Sequence, residues 1–192
     1  MKEKYNVLLS KTNIKKEINK LFVDSVMQNK NIHNQLTLIL DSELLYTSKL
    51  LLKNGVKKKD IVIPNPFVYK KIVKQRLGIN VYNKLLFDYL DNNINTFKNV
   101  WLDYMCSLDG NEIVNPKEDI EKIFKNIMIA NNSVFAITLA NRKKTEYNYQ
   151  HFFEGISYIC SIANKNGYTA IPKEARVYRG MFFILFNCYL LS

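Results

Sequence analysis

Val177-Tyr178-Arg179-Gly180-Met181-Phe182-Phe183-Ile184-Leu185-Phe186-Asn187-Cys188-Tyr189-Leu190 decides how the chain folds. Its apolar run, Met181 to Phe186, is interrupted by Asn187 and is too short to span a bilayer, so it reads as a buried strand. Just before it, Tyr168–Ile171 is a second β-rich run, and Pro172-Lys173-Glu174 reads as the turn between them. Two strands joined by so short a link form an antiparallel hairpin.

Upstream, the pattern alternates. Leu36–Leu40 and Asp60–Ile63 read as strands, and so do Ile79–Tyr82, Lys98–Asp103 and Ser133–Leu139. Helix-sized segments separate them: about Leu44–Lys53, Phe67–Leu77, a turn or short helix within Asn83–Leu90, Asn115–Ala130 and Tyr147–Lys165. Proline suits the first helical turn at Pro116, and Asn131-Asn132 reads as a turn. Strands spaced in this way are parallel, with right-handed crossovers. Ile14, Ile18, Leu21, Phe22, Ser25 and Val26 recur at helical spacing and predict an amphipathic helix before the first strand. The expected organisation is a helical extension over residues 1–35 packed on an α/β domain over 36–192.

The chain has 192 residues and a net charge of +11, from 28 Lys and Arg against 17 Asp and Glu. With 47% apolar and 12% aromatic residues, it belongs among globular proteins. The cationic excess favours an anionic partner, of which nucleic acid is the commonest. A Lys- and Asn-rich background composition would produce the same excess. Three widely spaced cysteines, Cys106, Cys160 and Cys188, give neither a disulfide scaffold nor a zinc site. His33 and His151 stand apart from any ligand series, so no metal is expected. Met1-Lys2-Glu3-Lys4 is not followed by a segment resembling a signal peptide. An intracellular protein, cytoplasmic or nuclear and without a membrane partner, is expected. There is no phosphate-binding Gly-rich Lys-Ser/Thr loop and no nucleophile elbow.

Ligands of open α/β sheets bind beyond the carboxyl ends of the strands. Four segments fall there. Asp41-Ser42 follows the first strand and contains no glycine up to Ser48. Pro64-Asn65-Pro66 follows the second. Asp103-Tyr104-Met105-Cys106 follows Val100-Trp101-Leu102, and Asn141-Arg142-Lys143-Lys144 follows Ser133–Leu139. Asp41 reads either as a helix cap or as a ligand contact. Asn65 reads either as turn chemistry between two prolines or as a hydrogen-bonding contact.

Strand–helix alternation ending in an antiparallel hairpin resembles the class I S-adenosylmethionine-dependent methyltransferase family. The resemblance covers residues 36–192 and lies more in topology than in motif. It implies a Rossmann-like α/β three-layer sandwich with a mostly parallel seven-stranded sheet whose terminal strand is antiparallel. It also implies S-adenosylmethionine as cofactor, held across Asp41, Ser42 and Asn65. The family's Gly-rich turn is replaced by Asp41–Ser48, and its second-strand acid by Asn65. Related amino-methyltransferases carry Asp-Pro-Pro-Tyr where this chain has Asp103-Tyr104, which makes Asp103 the candidate group orienting the acceptor and Tyr104 the candidate lining of a base pocket. Cys106 as a nucleophile has no support, because the usual Pro-Cys pair is absent.

The leading expectation is methyl transfer to RNA or DNA, at a base amine, with RNA slightly preferred. Arg142, Lys143, Lys144, Arg176 and Arg179 would engage phosphate. Two alternatives remain open: a catalytically inactive module of this shape that binds nucleic acid or a protein partner, and a methyltransferase for a small molecule.

Overall fold

In the computed structural model, the described residues are 13–28, 35–141, 149–178 and 180–191. They form one seven-stranded sheet with helices on both faces. The chain runs α1 (Asn13–Gln28), β1 (Thr37–Ile39), α2 (Tyr46–Lys53), β2 (Ile61–Pro64), α3 (Tyr69–Val73), β3 (Asn80–Tyr82) and α4 (Leu86–Asp91). It continues through β4 (Phe97–Asp103), α5 (Pro116–Lys125), β5 (Ile129–Ala140), α6 (Tyr149–Lys165), β6 (Tyr168–Tyr178) and β7 (Met181–Leu190). The spatial order is β3-β2-β1-β4-β5-β7-β6. All neighbouring pairs are parallel except β7 with β5 and with β6.

Side chains of a strand alternate between faces, and here they divide the core in two. Val100 and Leu102 of β4 pack with Ile120 and Phe124 of α5 and Ile159 of α6. Trp101, between them, joins the opposite cluster with Ile18 and Phe22 of α1 and Phe183 of β7. The central strands are buried on both faces, which is why they read as continuous apolar runs. The α1 helix is amphipathic. Ile18, Phe22, Val23 and Val26 turn inward, and the Phe22 ring lies 5.1 Å from that of Trp101.

Two expected turns are strand residues. Pro172–Glu174 lies within β6, where the register slips between Pro172 and Glu174. Because β6 is an edge strand, proline's missing donor costs no ladder bond there. The chain reverses beside Gly180, at φ +72°. Arg176 and Tyr178 therefore belong to the first strand of the hairpin. Asn131-Asn132 is likewise a bulge within β5, with Asn132 at φ +54°, a conformation asparagine tolerates. Helix α5 ends at Lys125 instead of near Ala130, and α3 is one short turn instead of Phe67–Leu77.

Candidate functional site

The carboxyl ends of β1, β2 and β4 open into a cavity of about 830 Å³. Its walls come from the loops after those strands, the start of α4, the first turn of α5 and one face of α1. The volume falls within the range of about 300–1,000 Å³ typical of ligand pockets.

Asp41 is buried just beyond β1 and accepts hydrogen bonds from Ser42 N (2.9 Å), Ser48 N (2.9 Å) and Ser48 Oγ (2.7 Å). It thereby ties the strand end to the first turn of α2. Burial raises its pKa to about 6. The Ser48 and Ser42 hydrogen bonds oppose that rise, and the nearby Asp103 charge adds to it. The turn that this carboxylate organises places Leu45 at φ +53°. A glycine would reach this conformation without strain. Leu45 instead is fully buried, and that burial offsets the strain. Ser42, Glu43, Tyr46 and Thr47 from this turn line the cavity.

Asn65 also lines the cavity, and its amide spans the turn: Nδ2 donates to the Asp41 carbonyl at 3.2 Å, and Oδ1 accepts from Phe67 N at 3.1 Å. The structure thus brings Asp41, Ser42 and Asn65 to one wall and gives both Asp41 and Asn65 a structural hydrogen-bond role.

Asp103 and Tyr104 follow β4, the strand beside β1, so Asp103 stands next to Asp41. Asp103 has the same strand parity as Trp101 and points toward α1. Lys15 Nζ donates to Asp103 Oδ1 at 2.7 Å and to Oδ2 at 2.6 Å, and stands 4.7 Å from the Trp101 ring centroid. Tyr104 follows the parity of Leu102, toward α5. Its hydroxyl donates to Asp119 Oδ2 at 2.6 Å. Burial raises the Tyr104 pKa well above its ordinary value, helped by the Asp119 charge, and raises that of Asp119 to about 6. Cys106 is pushed to about 11, again by burial, so its thiol is a poor nucleophile at neutral pH.

Sequence reasoning missed Lys15, Asn19, Asp88, Glu118 and Asp119, which all line the cavity. Asp119 carried a readable signal: two positions earlier than its neighbour Glu121, it sits in the acidic first turn after Asn115-Pro116. Lys15 carried none, since 88 positions separate it from Asp103.

Among the described lining residues, six are carboxylic acids (Asp41, Glu43, Asp88, Asp103, Glu118, Asp119) and one, Lys15, is cationic. Glu43 meets Lys71 at 2.6 Å. The cavity is acidic in a chain whose net charge is +11. Phe67 and Ile113, each 61% exposed, and Met105 and Phe87, each 39% exposed, form an apolar rim.

Of the expected phosphate contacts, Arg142, Lys143, Lys144 and Arg179 lie outside the described residues, as does His33. Arg176 is exposed on β6, pairs with Glu174 at 3.0 Å, and does not line the cavity. Among the described residues no group of His, Cys, Asp and Glu is arranged to hold a metal ion, and no helix is long and apolar enough to cross a membrane.

Solved structures share this architecture. The magnesium protoporphyrin IX methyltransferase of Synechocystis PCC 6803 with bound S-adenosylhomocysteine aligns with a TM-score of 0.63 and 10% identity, over 92% of this chain and 83% of that one. The chain has the fold of the class I S-adenosylmethionine-dependent methyltransferases. Two further solved structures align as well. The fibrillarin pre-rRNA processing protein of Methanococcus jannaschii aligns at TM-score 0.57 and 10% identity, over 84% of this chain and 69% of that one. TYW2 of M. jannaschii, in complex with S-adenosylmethionine, aligns at 0.54 and 15%, over 88% and 76%. No family model matches the sequence, and neither does any curated protein.

Proposed function

We propose that this methyltransferase-fold chain binds S-adenosylmethionine in the acidic cavity and transfers its methyl group to a nucleic acid, RNA before DNA. The carrying observation is the inversion of charge: among the described residues, six carboxylic acids and one lysine line the cavity of a strongly cationic protein. Such a lining complements a ligand that carries a sulfonium and an ammonium group, and the cationic remainder suits a polyanionic acceptor. When bound, the cofactor supplies an electrophilic methyl group.

The residues present fit that ligand in a particular way. Asp41 holds the strand-to-helix turn, and the Ser42, Tyr46 and Thr47 side chains replace a bare backbone cradle. Asp88, on the first turn of α4, offers a carboxylate that can accept hydrogen bonds from an amine or hydroxyl. Phe67 and Phe87 at the rim offer apolar surface for a planar ring. On the acceptor wall, Asp103 retains lone pairs beyond those taken by Lys15 and can orient a donor-bearing acceptor, while Tyr104 shapes the floor. Catalysis of this kind works by alignment and fixed charge. Base amines suit Asp103 as a hydrogen-bond acceptor. Arg142, Lys143, Lys144 and Arg179 remain the proposed phosphate contacts, with Arg176 at the sheet edge. The charge and rim together favour nucleic acid over a small-molecule acceptor.

A second reading is favoured by one observation. Asp103 is held by Lys15 and the Tyr104 hydroxyl by Asp119, an arrangement that also suits a binding module without transfer. Incubation of the purified chain with methyl-labelled S-adenosylmethionine and separate RNA, DNA and small-molecule pools distinguishes the readings. Label in RNA that falls at least tenfold with Asp103→Ala supports transfer. Cofactor binding with no label in any pool supports the binding module. Label confined to small molecules contradicts the nucleic-acid acceptor.

A further inference from the structure

Helix α1 enters the cavity with two polar side chains one turn apart, Lys15 and Asn19. Both are buried, at 8% and 4% exposure. Lysine is almost never so buried without a partner, and here the partner is Asp103, with both carboxylate oxygens within 2.7 Å of Nζ. The lysine stem is fixed as well, because its ammonium lies over the Trp101 ring, which Phe22 and Phe183 flank. Trp101 Nε1 in turn donates to Thr138 Oγ1 at 3.1 Å. A packed aromatic post thus holds the ammonium against the carboxylate.

The neighbouring strand supplies the reason that this matters. Ile39 of β1 is level with Trp101 of β4, so two residues further on Asp41 and Asp103 stand side by side at the cavity wall. Left unpaired, Asp103 would add a full negative charge beside Asp41, facing whatever cation the cavity holds. Methyl transfer discharges a sulfonium to a neutral thioether. A carboxylate that stabilises the sulfonium more than the transition state slows that step and favours substrate over product.

We propose that Lys15 is a positioning residue that holds and neutralises Asp103, so that helix α1 sets the preference of the site between the sulfonium cofactor and its thioether product. The inference rests on the cofactor reading above.

The test is calorimetric titration of the full chain at pH 8 with S-adenosylmethionine and, separately, S-adenosylhomocysteine. The readout is the ratio of the two affinities. Lys15→Met exposes the Asp103 charge and raises the ratio on the order of tenfold. Asp103→Asn leaves the ammonium without its carboxylate and lowers the ratio below that of wild type. Lys15→Arg and the double variant Lys15→Met/Asp103→Asn stay within about threefold of wild type. Opposite signs for the two single variants and cancellation in the double are outcomes that a general loosening of the fold does not produce. Trp101 is the single tryptophan, and its emission reports the contact without any ligand. It changes in Lys15→Met and not in Lys20→Met, on the exposed face of the same helix. If Lys15→Met does not fold, Lys15→Gln makes the same comparison. Equal ratios in wild type and both single variants overturn the inference and leave the cofactor reading standing. Failure of wild type to bind either compound overturns both.

Discussion

Asp103 and Tyr104 are adjacent in sequence and are captured from opposite faces of the sheet. Strand parity sends the carboxylate to Lys15 on α1 and the phenol to Asp119 on α5. The Tyr104–Asp119 contact is buried, so its loss exposes an unmet acceptor to a dry environment. Tyr104→Phe is expected to cost about 1–3 kcal/mol in urea unfolding at pH 7; a loss under 0.5 kcal/mol would remove Asp119 from the support of this wall. Asp119 also makes stability depend on pH. Its folded pKa of about 6 lies above the ordinary 3.8, chiefly through burial. The proton is therefore held more tightly in the fold, and the stabilisation is full below about pH 4 and lost as pH rises through 6. Asp119→Asn keeps an acceptor for the Tyr104 hydroxyl and abolishes the ionisation. Between pH 4 and 7, wild type should lose on the order of 2–3 kcal/mol relative to Asp119→Asn. Parallel pH profiles for the two proteins would contradict the placement of this carboxyl. Asp103 and Tyr104 were legible in the sequence as residues at a strand end. Their separate partners were not, because those partners come from elements distant in the chain.

The turn after β1 does with a leucine what a glycine does without strain. Leu45 adopts φ +53° while its side chain is fully buried. The left-handed conformation costs about 1–2 kcal/mol, and burial of a leucine returns about 1.5–3 kcal/mol. Leu45→Gly is therefore expected to destabilise the chain modestly, by about 1 kcal/mol in denaturant titration, instead of stabilising it as relief of strain alone would. A gain in stability would show that the leucine is not packed as described. Gly110 is the reverse case. It sits at φ +75°, and a Cβ there would meet the Val114 carbonyl oxygen at 2.2 Å. Gly110→Ala must move the loop that carries Ile113 and Val114 to the cavity, so the affinity for S-adenosylmethionine should fall at least fivefold. The sequence marked the turn after β1 as a place where a strand hands over to a ligand-facing loop. It could not show the left-handed leucine, since nothing in Asp41–Ser48 distinguishes a strained turn from an ordinary one. Pro172–Glu174 failed for a related reason: turn-like residues are tolerated inside a strand when that strand lies at the sheet edge.

At the scale of the molecule, sheet order gathers the cavity and separates its acidic lining from the net positive charge of the chain. The alternation of strands and helices was legible because central parallel strands are buried on both sides and helices carry one apolar stripe, as α1 does through Ile18, Phe22 and Val26. The acidic cavity was not legible, because its carboxylates come from positions 41 to 119 and only the fold gathers them. If the cationic exterior serves a phosphate backbone, RNA affinity should fall steeply between 50 and 200 mM salt, whereas cofactor affinity, set inside the cavity, should change little. Equal salt sensitivity of the two would argue against separate cationic and acidic surfaces. Whether the acidic cavity holds the methyl donor is read from calorimetric titration of wild type with S-adenosylmethionine. Binding is expected to be saturable and one-to-one, and to weaken at least tenfold in Asp88→Asn/Asp41→Asn. Absence of binding up to millimolar cofactor, in protein shown to be folded, would contradict it.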